Sequence, residues 1–127
     1  MKKIIYTDKA PAPIGPYNQG IVFGNMLYTS GQIGFDVTKN ELVLDTIENE
    51  TRTVLNNVKA IVTEAEFTLE DVVKVTIFIS DMDNFSRINA VYNEYFNDAT
   101  APARECVQVA KLPRNVNIEI SVIAIKN

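Results

Sequence analysis

Towards the C-terminal end of the chain an arginine and the sole cysteine stand two residues apart, in Ala101-Pro102-Ala103-Arg104-Glu105-Cys106-Val107-Gln108-Val109. A second segment, Val116 to Ile125, interrupts an apolar run with Glu119. Both read as strands, in which side chains alternate faces, so Arg104, Cys106 and Gln108 point one way and Glu105, Val107 and Val109 the other. The short link Leu112 to Asn115 between them predicts a hairpin that brings Arg104 and Glu119 into one neighbourhood. That would set a fixed cation, a carboxylate and a thiol in an otherwise hydrophobic place. The plainer alternative is a cross-strand ion pair, worth roughly 0.2–1 kcal/mol, with Cys106 a small buried hydrophobe. With no histidine and one cysteine in the chain, a zinc site, a Ser-His or Cys-His pair and an internal disulfide are implausible. Any chemistry has to use Arg, Glu, Tyr, Ser, backbone amides and water.

The elements that would position these groups follow from spacing. Ile4 to Tyr6 reads as a short first strand, and Ala10-Pro11-Ala12-Pro13-Ile14-Gly15-Pro16-Tyr17 as an ordered loop ending on an aromatic. Gln19 to Phe23 and Met26 to Ser30 form a hairpin through the two-residue turn Gly24-Asn25. In Thr29-Ser30-Gly31-Gln32-Ile33-Gly34, two glycines allow close backbone approach to something small beside the Ser30 hydroxyl, although an ordinary loop fits equally. From about Asp45 to Ala65, Ile47, Val54, Leu55, Val58, Ile61, Val62 and Ala65 recur at helical spacing, and Glu48, Glu50, Arg52, Asn56, Asn57, Lys59 and Glu64 fall mostly on the polar remainder. Val72 to Ser80 alternates as a strand. Asp83 is placed to cap a second helix, about Asn84 to Asn97, with Phe85, Ile88, Val91, Tyr92, Tyr95 and Phe96 as its apolar stripe. Asn89 lies beside that stripe, where spacing alone assigns it to solvent.

Composition bounds the class. A chain of 127 residues and 14.2 kDa with 46% hydrophobic and 22% charged residues makes one globular domain, spanning residues 1–127. A net charge of −4 and a pI near 4.8 argue against a phosphate-backbone partner, which needs clustered Lys and Arg. No signal-like or membrane-spanning apolar run is present, so no membrane partner and a cytoplasmic location are expected.

The element order gives an α+β fold with a mixed sheet: long helical crossovers favour parallel neighbours and hairpins antiparallel ones. Two helices cover one face. Several strands are nevertheless apolar on both faces, and a second copy is the best cover for the other one, so a homo-oligomer with sites in its subunit clefts is expected.

Gly15-Pro16-Tyr17, Thr29-Ser30-Gly31-Gln32-Ile33, Asn57-Val58-Lys59-Ala60-Ile61, Val91-Tyr92-Asn93-Glu94-Tyr95-Phe96, Pro102-Ala103-Arg104 and Val109-Ala110-Lys111-Leu112-Pro113 leading to Ile118-Glu119-Ile120 closely resemble the Rid/YjgF family of enamine/imine deaminases. The resemblance runs in order from about Ala10 to Ile125. It implies a mixed six-stranded sheet with two helices on one face, in a chorismate-mutase-like (bacillary type) homotrimer with inter-subunit clefts. It also implies hydrolysis of 2-aminoacrylate and other 2-imino acids to 2-oxo acids and ammonia, with no cofactor and no metal. By the same resemblance Arg104 grips the substrate carboxylate, as the fork of a guanidinium suits it to do. Glu119 orients water, Cys106 lends its backbone near the reacting centre, and Tyr17 supplies an aromatic from the Gly-Pro-Tyr loop. Ser30, Gly31 and Asn89 complete the cleft.

Glu105 departs from the pattern, which usually has a small residue after the arginine. Alternation turns it away from Arg104, towards the trimer interior; bent the other way, it would neutralise Arg104. A different class of function, a non-catalytic binder that senses 2-oxo acids through the same cleft, also needs Arg104. Removal of Glu119 discriminates the two, since it abolishes turnover and spares carboxylate binding. Chorismate mutase activity would need more cations than Arg104, and ribonuclease activity sits poorly with the acidic pI.

Overall fold

The computed structural model describes residues 1–127. The chain runs β1 (Lys3–Ile5), β2 (Gly20–Phe23), β3 (Met26–Thr29), β4 (Phe35–Asp36), β5 (Glu41–Leu42), α1 (Ile47–Glu64), β6 (Val72–Ile79), α2 (Phe85–Tyr92), β7 (Ala103–Gln108) and β8 (Ile118–Ile125). Six strands form one mixed sheet in the order β1-β2-β3-β8-β6-β7, and β4 and β5 pair separately. Only β6 and β7 run parallel; the other pairings are antiparallel. The β2–β3 hairpin turns on Gly24, whose φ of 62° suits a residue without a Cβ.

The hairpin expected between the last two strands does not form. β6 lies between β7 and β8, bonded to both. Val75, Ile77 and Ile79 of β6 are at most 1% exposed, and a strand this apolar takes a central place with a neighbour on each edge. α2 carries the chain from β6 to a parallel β7 at the sheet edge, and β8 then crosses over to pair with β6 and β3.

Helix α1 starts where Thr46 accepts a hydrogen bond from the Asn49 amide at 3.0 Å. Its apolar stripe is buried against the sheet. Glu50 and Asn57, which spacing puts on the polar remainder, are buried too. The Glu50 carboxylate accepts bonds from the backbone N–H and side-chain amide of Asn117, both at 2.8 Å. Asn57 donates to the carbonyls of Ile33 and Phe35 at 3.1 and 2.9 Å. Both side chains answer backbone groups of the loops that cross the helix.

Helix α2 is shorter than its apolar stripe suggests. It ends at Tyr92, where three-residue turns take over: Glu94 N–H bonds Val91 C=O and Tyr95 N–H bonds Tyr92 C=O, at 2.9 and 3.0 Å. Asp83 does not cap α2: Asn84 stands at its N-cap without a side-chain capping bond, and the capping aspartate, Asp81, belongs to the turn before. The Asp81 side chain accepts from the Asp83 amide at 2.9 Å and opens a 3₁₀ turn, Met82–Asn84, ahead of the helix.

Both helices cover one face of the sheet. The other face presents Ile4, Phe23, Tyr28, Val107 and Ile125, each more than a third exposed, and that apolar face has no cover within the chain.

Candidate functional site

Strand β7 places Arg104 and Cys106 on the helix-covered face, level with the buried Val75 and Ile77. The face of α2 above them carries Phe85, Asn89 and Tyr92, spaced i, i+4, i+7 so that all three meet Arg104. Asn89 Oδ1 accepts from Arg104 Nη1 at 2.7 Å. The Arg104 Cζ stands 4.6 Å from the centre of the Tyr92 ring and 5.6 Å from that of Phe85, a cation over aromatic faces. Arg104 takes part in none of the three ion pairs of the chain. Its guanidinium is thus held by an amide and two rings while its charge stays unanswered. Cys106 is half-buried; burial pushes its thiol up from the ordinary value, and the nearby Arg104 offsets this only in part. The sulfur stays protonated at neutral pH and is no thiolate nucleophile.

Glu105 points to the opposite face and pairs with Lys74 at 3.0 Å. It leaves Arg104 free, as strand alternation requires.

Glu119 sits on the open face of β8, between Ile118 and Ile120, which are fully buried on the other. Its carboxylate has no hydrogen-bond or ion-pair partner, and partial burial pushes its pKa above the usual carboxylate range. Gly31 lies directly against it: a Cβ on Gly31 would come within 2.7 Å of the Glu119 carboxyl carbon, so no other residue fits without moving that carboxylate. Paired backbone bonds between Gln32 and Ile120, at 2.8 and 3.0 Å, lock this corner. The neighbouring Ser30 is fixed by its N–H to Gln19 C=O at 2.9 Å and by its hydroxyl, which donates to Asn18 C=O. Tyr17 is 48% exposed, and lines, as does Gly31, a cavity of about 400 Å³.

The expected residues therefore fall into two groups. Gly31 and Glu119 meet, with Ser30 beside Gly31 and Tyr17 lining the same cavity as Gly31. Arg104, Asn89 and Cys106 form the other group. Arg104 and Glu119 do not share a neighbourhood in one chain: β6 separates them and they project from opposite faces. The row of Arg104 crosses β6 at Val75 and reaches β8 at Val122, three residues from Glu119.

Asn89 bonds Arg104 and does not face solvent alone, a role that helical spacing from Phe85 to Tyr92 contains once the position of Arg104 is known. The part played by Phe85 and Tyr92 was hidden because aromatics at that spacing also make an ordinary core. The Tyr92 hydroxyl is the one buried side-chain polar atom without a partner. No three His, Cys, Asp or Glu side chains converge on one point.

The family model for Endoribonuclease L-PSP matches residues 7–126 of the chain. A RutC family protein from Pyrococcus horikoshii is 48% identical over 126 residues, 99% of each chain. TdcF of Escherichia coli, provisionally named a reactive intermediate deaminase, is 46% identical over 129 residues, 100% of this chain and 99% of TdcF. A crystal structure of TdcF with bound serine superposes with a TM-score of 0.92 at 44% identity, covering 98% of this chain and 99% of that one. A Thermotoga maritima structure, provisionally named an endoribonuclease, has a TM-score of 0.97 at 55% identity and covers 100% and 99%.

Proposed function

The chain belongs to the Endoribonuclease L-PSP family, which includes the YjgF and Rid proteins, and from that membership we propose that it hydrolyses 2-imino acids and their enamine tautomers to 2-oxo acids and ammonia. The observation that carries this reading is the pair of unanswered charges, Arg104 and Glu119, each held in place by its surroundings and each without a partner of the opposite sign. A guanidinium so placed takes a carboxylate through two parallel N–H donors. A half-buried carboxylate whose proton affinity is raised by burial is placed to accept a proton from water. Because the two project from opposite faces of one sheet, the cleft is formed between copies, with Arg104 from one subunit and Glu119 from the next. The apolar open face of the sheet supports a homotrimer in which that face is buried.

In this cleft the substrate carboxylate sits on Arg104. Water, held by Glu119, adds its oxygen to the imine carbon while Glu119 takes one of its protons. That proton passes from Glu119 to the imine nitrogen, giving a carbinolamine, whose C–N bond then breaks as the hydroxyl proton passes to the nitrogen; the nitrogen leaves as ammonia and the oxygen becomes that of the ketone. No electrons change hands, so no redox partner is called for. Cys106 contributes its backbone and a neutral thiol at the reacting centre, Tyr17 an aromatic wall, and Ser30 and Gly31 the backbone close to Glu119. Such imines hydrolyse readily, so orientation and a proton-transfer gain of roughly 10²–10⁴-fold suffice.

Ribonuclease action, which the family description suggests, has little support here: the net charge is −4 and the chain has no histidine. The test is to generate 2-aminoacrylate in situ and follow pyruvate release. The parent should accelerate it, Glu119→Gln should abolish the acceleration, and Arg104→Lys, which keeps the charge and loses the fork, should lower kcat/KM about tenfold or more. A Glu119→Gln variant that binds 2-oxobutanoate unchanged, beside a parent without turnover, would make the protein a binder.

A further inference from the structure

The cavity beside Gly31 is larger than the methyl or ethyl side chain of a small imino acid can fill. Its volume of about 400 Å³ falls within the range of small-molecule sites, roughly 300–1,000 Å³. Ile14, Ile33, Phe35 and Val37 give it apolar walls, and Tyr17 and Gly31 of the candidate site line it as well. Gln19, although in its lining, is spent on the backbone of Thr7, Ala10 and Pro11. One cation borders the cavity, Arg114.

Arg114 makes no side-chain hydrogen bond and joins no ion pair. Its Cζ lies 5.7 Å from the centre of the ring of Phe35, another lining residue of the cavity. Its backbone is left-handed, with φ 57° and ψ 21°, and Asn115 follows with φ 58°. Non-glycine residues rarely take that conformation, and two in succession persist only where the flanks are anchored. Here the flanking Leu112 and Val116 are buried, 7% and 1% exposed, and Asn115 N–H bonds Leu112 C=O at 3.0 Å. The backbone of the loop is thereby anchored where Arg114 joins the cavity lining. Asp8 also borders the cavity but forms no ion pair with Arg114.

We propose that this cavity receives the substrate's side chain and that Arg114 selects 2-imino acids whose side chain ends in a carboxylate. The assignment rests on the deamination reading above for the position of the α-carboxylate, on Arg104, and extends it to the far end of the molecule. A second guanidinium for a second carboxylate uses the same bidentate recognition.

Two measurements test it. The first is calorimetric binding of 2-oxoglutarate and of 2-oxobutanoate to the parent, Arg114→Gly, Arg114→Gln and Asp8→Asn. Glycine is at ease at φ 57°, so Arg114→Gly removes the guanidinium without straining the loop. The second is hydrolysis of imines formed in situ by amino-acid oxidases from glutamate, leucine and lysine. We expect 2-oxoglutarate to lose about tenfold or more in affinity in both Arg114 variants, with 2-oxobutanoate within about twofold of the parent. The glutamate-derived imine should lose kcat/KM in parallel while the leucine-derived one does not. Equal losses for both oxo acids, no loss for either, or a preference for the lysine-derived imine that vanishes in Asp8→Asn would each overturn the proposal. If no imine is turned over but 2-oxoglutarate binding still depends on Arg114, deamination fails and the cavity assignment stands.

Discussion

Glu119 has a carboxylate that its own chain neither pairs nor hydrogen-bonds, and the consequence can be read in two ways from one titration. Partial burial raises its pKa above the ordinary 4.5, so the folded chain holds the proton more tightly than the unfolded chain does. Its contribution to stability is therefore fully present below about pH 4.5 and is lost as the pH rises through the folded value. As the proton acceptor for water it works only when ionised, so activity moves in the opposite sense. The acid limb of kcat/KM should lie above the usual carboxylate range. Glu119→Gln should lack turnover, yet melt at a higher temperature than the parent at neutral pH, the difference closing below about pH 4.5. Equal melting temperatures at neutral pH would mean that the carboxylate finds a cationic partner in the assembled protein.

At the scale of elements, Asn89 and the two rings that hold Arg104 ride on α2, which is tied to α1 by the ion pair Arg87–Glu48, while Arg52–Glu94 ties α1 to the turn after α2, both at 2.8 Å. The hydrogen bonds from Arg87 hold Glu48 well below its ordinary value, at about 2. Stability from the Arg87–Glu48 pair is present above about pH 4.5 and is lost as the pH falls towards about 2. Glu48→Gln should accordingly lower the melting temperature at neutral pH, and its difference from the parent should shrink across that window; a difference independent of pH would show that the pair does not tie the helices. The periodicities of α1, β6 and the β2–β3 hairpin were legible in the sequence because burial imposes them residue by residue. The pairing of the last two strands was not, because loop length speaks only to neighbours in sequence, whereas the apolar β6 took the place between them. Glu50 was misread for a related reason: its burial depends on Asn117, sixty-seven residues away. Arg104, Cys106 and Glu119 were legible as chemistry, and the faces they occupy became legible only with the strand order.

At the scale of the whole molecule, that strand order means that no single copy can bring Arg104 and Glu119 together. The open apolar face and the free outer edge of β7 are where a neighbouring copy would dock, since a bare edge strand is a ready template for another chain. A site shared between copies has a consequence that a site within one copy lacks. Arg104→Ala and Glu119→Gln chains should each be inactive alone, since every cleft of each homotrimer is missing one group. In hybrids refolded from an equal mixture, a cleft is intact when the copy giving Arg104 is the Glu119→Gln chain and the copy giving Glu119 is the Arg104→Ala chain. Random assembly makes that combination in about a quarter of clefts, so imine hydrolysis should return to about a quarter of the parent's rate per chain. A mixture that stays inactive although its chains have demonstrably exchanged would place both groups in the service of separate sites.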